Sequence, residues 1–159
     1  MTPSPADASS AGMHGAYSYR SDPLVPAFPD DRPILLFDGY CAVCSWWART
    51  VMRRDRTGAI RLLAASTPLG EALYRHYGED PDKTYMVLED GEAFTRSAAT
   101  FRLVRRLGAP YSWVLIFHGL PQSLRDQVYD LVARNRYRLA RRRTDCMLPT
   151  PEQAARFLG

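Results

Sequence analysis

The stretch Ile34-Leu35-Leu36-Phe37-Asp38-Gly39-Tyr40-Cys41-Ala42-Val43-Cys44 decides how the chain folds. Four apolar residues in a row followed by Asp-Gly read as a short buried strand ended by a turn. Two cysteines spaced C-x-x-C come next, and the run Ser45 to Arg54 reads as a helix. In it Cys44, Trp47, Ala48 and Val51 form one apolar stripe, while Arg49, Arg53, Arg54 and Arg56 take the wet side. This arrangement sets the first sulfur at a helix N-terminus, where unpaired N–H groups and the positive dipole end favour thiolate over thiol. The second sulfur lies one helical turn on, close enough to bond to the first.

Outward from this stretch, Gly58 ends the helix region and Ala59 to Ala64 reads as a second strand. A strand, a helix and a strand so close together predict a βαβ crossover with parallel pairing. Thr67-Pro68 starts a helix that runs to about Tyr77 and stops at Gly78. Thr84 to Leu88 and Glu92 to Thr95 flank Asp90-Gly91 as a β-hairpin. Ser97 is placed to cap a helix through Leu107, closed by Gly108. A short apolar helix near Trp113–His118 and a long helix from about Gln122 follow, the latter with Leu124, Val128, Leu131 and Val132 as its buried stripe. A last turn falls over Glu152–Phe157.

Residues 1–32 are rich in Ser, Ala, Pro, Gly and Asp without apolar periodicity, and read as a disordered leader, although Tyr17, Tyr19 and Phe28 could dock on the domain. The expected organisation is therefore this leader, a domain over 33–150 with a helical C-terminal extension, and a short tail over 151–159. The order β-α-β-α-β-β-α describes an α/β, thioredoxin-like fold, with C-x-x-C after the first strand where that fold carries it.

At 159 residues the chain fits one domain with a real core. The net charge of +4 invites a nucleic-acid reading, but Lys83 is the one lysine among 21 basic residues, and such an arginine bias reflects composition more than phosphate binding. Nucleic acid is not expected as a partner. Three cysteines are too few for a disulfide-stapled secreted scaffold, and no secretory signal is visible. The longest apolar run, Trp113 to Phe117, is too short to span a bilayer. The expectation is a soluble protein of the reducing cytosol (cytoplasmic), where C-x-x-C is catalytic or metal-binding.

Asp38-Gly39-Tyr40-Cys41-Ala42-Val43-Cys44 resembles the core motif of the DCC family of predicted thiol-disulfide oxidoreductases. Asn135-Arg136-Tyr137-Arg138 supports the resemblance, and Cys146-Met147-Leu148-Pro149 is similar to that family's C-terminal signature. The resemblance runs from Pro33 to about Thr150 and implies a thioredoxin-like fold with dithiol activity. One departure from thioredoxins stands out: they place a cis-Pro just before the hairpin strand, where this chain has Lys83-Thr84. The residues between the cysteines are Ala42-Val43 rather than Gly-Pro.

In the redox reading Cys41 attacks a partner disulfide and Cys44 resolves the mixed disulfide. Gly39 permits the turn that presents Cys41, and Tyr40 is placed to shield it in part. Asp38 next to Cys41 would raise that thiol's pKa, so it is expected to bind the loop's N–H groups or to accept the Cys44 proton. Cys146 is either a third redox thiol or a packing residue of the tail. The partners are a disulfide-bearing protein or small thiol and a separate thiol reductant, and no bound cofactor is needed.

The main rival is a non-catalytic metal-binding or protein-interaction module, with Cys41, Cys44, Cys146 and one of His76 or His118 as a zinc set. Phe37-Asp38-Gly39 also resembles a phosphatase motif, but Tyr40 stands where the second Asp is required. Arg134, Arg136, Arg138, Arg141, Arg142 and Arg143 read as a solvated helix end, with an acidic partner, an anionic membrane surface or nucleic acid as the sharper alternative. The Trp113–Phe117 stretch reads as an amphipathic core helix, with a membrane-touching face as its alternative.

Overall fold

Ile34–Phe37 (β1) is the centre of a five-stranded sheet, and its continuous apolar sequence follows from burial on both faces. A computed structural model describes residues 14–139 and 147–158. Leu35 and Phe37 point into one core, with Val51, Leu62, Val87 and Leu103; Ile34 and Leu36 point into the other, with Leu63, Leu73, Tyr74 and Met86. Arg61–Ala64 (β2) pairs parallel to β1, so the crossover through Ala42–Arg54 (α1) is the expected βαβ unit. Met86–Glu89 (β3) pairs antiparallel to the other side of β1, and Glu92–Thr95 (β4) completes the hairpin. Asp90 and Gly91 both take positive φ in its turn, as a tight hairpin requires.

The helices follow from local chemistry. Pro68–Tyr77 (α2) starts with the Thr67 hydroxyl accepting the Gly70 N–H at 3.1 Å and ends at Gly78 in left-handed conformation. Arg96–Leu107 (α3) begins two residues earlier than a Ser97 cap would place it, with Thr95 at the cap position. Ser97 does not cap it: its hydroxyl donates instead to Asp126 of Gln122–Leu139 (α4). The result is a mixed α/β architecture consistent with a thioredoxin-like fold. Lys83-Thr84 stands ahead of the hairpin strand with no cis bond, and the cis peptide among the described residues is Ala109–Pro110.

Four expectations need correction. From His14 onward the polar N-terminal segment is seated on the domain rather than disordered. Tyr19 is buried in the second core, its hydroxyl donates to Asp30 at 2.8 Å, and the Tyr17 N–H donates to the Gly91 carbonyl at 2.8 Å. Its aromatic residues supply what the Ser/Ala/Pro composition hides, filling the α2 side of the sheet. Residues 1–13 lie outside the described residues. At the other end, the expected last turn is present as a 3-10 turn at Ala154–Arg156. The tail reading missed Phe157–Leu158 (β5), a parallel strand beside β2 held by Arg156, which donates to Asp55 at 2.6 Å and to the Met52 and Ile60 carbonyls.

The other two corrections concern the extension. Tyr111–Gly119 is 3-10 rather than a core helix, and none of its residues is buried. The stripe Leu124, Val128, Leu131 and Val132 of α4 faces solvent. The helix is rolled so that its polar side meets the domain: Asp126 on Ser97, Asp130 on Arg96, the Arg125 guanidinium over the Phe101 ring, and Tyr129 against Tyr85. Charged pairing and ring contacts won over the apolar stripe. If the N-terminal segment is structural, Tyr19→Ala should lower unfolding stability in urea by about 3 kcal/mol, the cost of emptying a buried aromatic site; an unchanged midpoint would mean the segment is not anchored.

Candidate functional site: a dithiol at the start of α1

The turn after β1 is built so that Cys41 caps α1. The Cys41 N–H donates to the Asp38 carbonyl at 3.2 Å, and the Asp38 carboxylate accepts the Tyr40 N–H at 2.9 Å, an Asx turn that closes the loop. Buried Ser45 donates from its hydroxyl to the Gly39 carbonyl at 3.1 Å, locking the loop to the first turn of the helix. Cys41 keeps extended backbone, so its side chain swings over the helix start, and its Sγ accepts the Cys44 N–H at 3.3 Å. Both cysteines are free thiols in this structure.

The two sulfurs are electrostatically unequal. The hydrogen bond from the Cys44 thiol pulls the Cys41 pKa down to about 6, helped by the Cys44 N–H and the Arg136 guanidinium and opposed by burial and by the Asp38 carboxylate. Cys44 moves strongly upward, because it holds its proton for Cys41 and because desolvation disfavours its charged form. The pair therefore shares one proton, carried by Cys44, near neutral pH.

Exposure runs the other way. Cys41 is 1% exposed, so it does not have the reachable sulfur that the sequence reading supposed. Cys44 is half-buried and forms part of the wall of a trough of about 420 Å³ between α1, α3, the 3-10 segment and α4. Val43, Trp46, Trp47, Tyr85 and Tyr129 give that trough an almost wholly apolar lining. Trp47 packs on the core, in line with its place in the apolar stripe of α1, and Trp46 stands exposed on the rim.

Arg136 is the residue that sequence reasoning misplaced. The run of arginines around it reads as a solvated helix end, yet Arg136 is 4% exposed, its Nη1 lies 3.9 Å from Cys44 Sγ, and its Nη2 donates to the Asp82 carbonyl. Its neighbours Arg134 and Arg138 are exposed as expected. A signal was available: Arg136 lies on the side of α4 that carries Arg125 and Tyr129, the side turned to the domain.

Of the other candidates, Asp38 Oδ2 is buried with no hydrogen-bond partner among the described residues. Gly39 serves through its carbonyl, which also accepts the Met147 N–H at 3.0 Å. Tyr40 is half-buried at the loop. Cys146 lies outside the described residues, as do Arg141, Arg142 and Arg143. His76 is held by Asp22 at 2.7 Å and Ser18 at 2.9 Å, and His118 by Arg105 at 3.2 Å, so neither is brought to the dithiol by these contacts. Among the described residues no group of three or more His, Cys, Asp or Glu is arranged to hold a metal ion.

A thiol pair of unequal acidity at the start of a helix is what disulfide exchange requires. Comparison with known proteins finds a family named for that chemistry. Residues 35–142 match the family model described as DCC1-like thiol-disulfide oxidoreductase. The chain is 33% identical over 127 residues to the uncharacterized protein YuxK of Bacillus subtilis, covering 79% of this chain and 93% of that one. It is 31% identical over 122 residues to the chloroplastic DCC family protein At1g52590 of Arabidopsis thaliana, covering 75% of this chain and 71% of that one. No solved structure matches. The chain belongs to the DCC1-like thiol-disulfide oxidoreductase family.

Proposed function

We propose that the protein exchanges disulfides with a disulfide-bearing protein or small thiol, Cys41 attacking and Cys44 resolving. The observation that carries this reading is the Cys41 sulfur accepting hydrogen bonds at the α1 start, which holds its pKa near 6. The Cys41 thiolate attacks one sulfur of the partner disulfide; that S–S bond breaks, and the other sulfur leaves as thiolate and takes a proton. Cys44 then gives its proton to Asp38, whose Oδ2 is buried without a hydrogen-bond partner among the described residues, and attacks Cys41 Sγ. This releases the second partner thiol and leaves a Cys41–Cys44 disulfide, two electrons having passed to the partner. A separate thiol reductant resets the pair.

Because Cys41 is buried, the incoming disulfide has to displace part of its cover. The place of Cys44 in the trough wall favours a second reading in which Cys44 meets the partner first. Its raised pKa weighs against that, since the thiolate is the nucleophile. Trapping decides between them: Cys44→Ser should accumulate mixed disulfides on non-reducing gels and Cys41→Ser should accumulate none. The reverse pattern would establish the second reading, and equal capture by both would contradict the assignment.

The pH dependence follows with a definite sign. Exchange should rise with pH through a midpoint near 6 and then level off, whereas an ordinary thiol would keep gaining rate to about 8.5. Arg136→Met removes a cation that favours the Cys41 thiolate, so stopped-flow profiles of that variant should move to higher pH. An unshifted profile would remove Arg136 from the site.

A further inference from the structure

We infer that the 3-10 segment and the outer side of α4 form a docking face for an anionic lipid bilayer, set beside the dithiol trough. The helix α4 has its amphipathic character inverted. Arg125, Asp126 and Asp130 face α3, while Leu124, Val128, Leu131 and Val132 face outward, Leu131 at 55% exposure. Next to it, the longest apolar run of the chain is left uncovered: Trp113 is 60% exposed and Ile116 74%, with Phe117 on the same side. The two ridges are contiguous, since Val114, Phe117 and Leu120 of one and Val128 of the other line a single hollow of about 310 Å³. A contiguous row of exposed large apolar residues rimmed by basic ones marks an interaction surface.

Charge decides which partner. From Ala109 to Leu139 the acids are Asp126 and Asp130, and both are engaged on α3, by Ser97 and Arg96. The flanks are basic. Arg53, Arg54 and Arg56 border a cleft that reaches Tyr111 at the head of the 3-10 segment, and Arg105 reaches His118 at its end. Among the described residues none of these four arginines has an ion-pair partner, and Arg134 on α4 likewise has none. Outward Trp, Ile, Phe, Leu and Val with arginines around them are the composition of an interfacial membrane-binding surface. No described helix is long and apolar enough to cross a membrane, so the contact is peripheral. Residues 1–13 and 140–146 carry no large aromatic or branched apolar side chain to cover the face from within the chain. The trough at Cys44 shares Val114, Val128 and Tyr129 with the hollow, so the dithiol would open toward the bilayer surface.

The test is flotation of the full chain with vesicles. The protein should rise with phosphatidylcholine–phosphatidylglycerol vesicles at low salt, with a blue shift of tryptophan emission, and high salt should weaken binding. Trp113→Ser/Ile116→Ser should reduce the bound fraction about tenfold or more, with unchanged circular dichroism; Leu131→Asp tests the same face independently through α4. No flotation at low salt, or variants that float like the parent, would overturn the inference. So would a concentration-dependent dimer that hides Trp113 from an aqueous quencher while vesicles stay unbound, which would assign the face to a second copy. The inference stands apart from the redox reading: Cys41→Ser/Cys44→Ser should still float.

Discussion

The structure depends on what happens at the start of α1, where the backbone N–H groups have no carbonyl to meet. In most helices a serine, threonine or aspartate oxygen meets them. Here the acceptor is Cys41 Sγ, so the group that satisfies the helix is also the group proposed above as the nucleophile. The strand β1, the Asp38–Tyr40 turn and the Ser45–Gly39 bond all serve to hold Cys41 in extended backbone with its sulfur at the helix start. A thiolate is a better acceptor than a thiol, so capping and acidity reinforce one another.

The dithiol is completed from far along the chain. Arg136, on α4, places its guanidinium by Cys44, and the Met147 N–H binds the Gly39 carbonyl, so the segments on either side of residues 140–146 both reach the loop. Orienting α4 for these polar contacts turns its apolar stripe outward. The inverted helix and the buried arginine are thus two aspects of one docking geometry. They join the dithiol to the uncovered apolar face.

Much of this was legible in the sequence. The βαβ unit, the Thr67-Pro68 helix start and the Asp90-Gly91 hairpin are written in local patterns of period, cap and turn, and the structure carries them all. The C-x-x-C after a strand located the dithiol by the same kind of reasoning. What escaped depends on long-range partners. Tyr19 gains its burial from α2 and the hairpin, and Phe157 from β2, neither of which is visible in the composition of its own segment. Apolar periodicity marked a stripe on α4 correctly but could not say which way it points, because Asp126, Tyr129 and Arg136 find specific partners on the domain. The burial of Cys41 escaped for a related reason: local sequence positions a sulfur at a helix start without showing what lies over it.

Carbon-13 NMR of the cysteine Cβ atoms in the reduced protein, followed across pH, addresses the inequality of the two sulfurs most directly. The account predicts that the Cys41 Cβ titrates with a midpoint near 6 while the Cys44 Cβ keeps its thiol shift well into the alkaline range. A Cys41 that titrates like an unperturbed cysteine, or a Cys44 that ionises first, would contradict it.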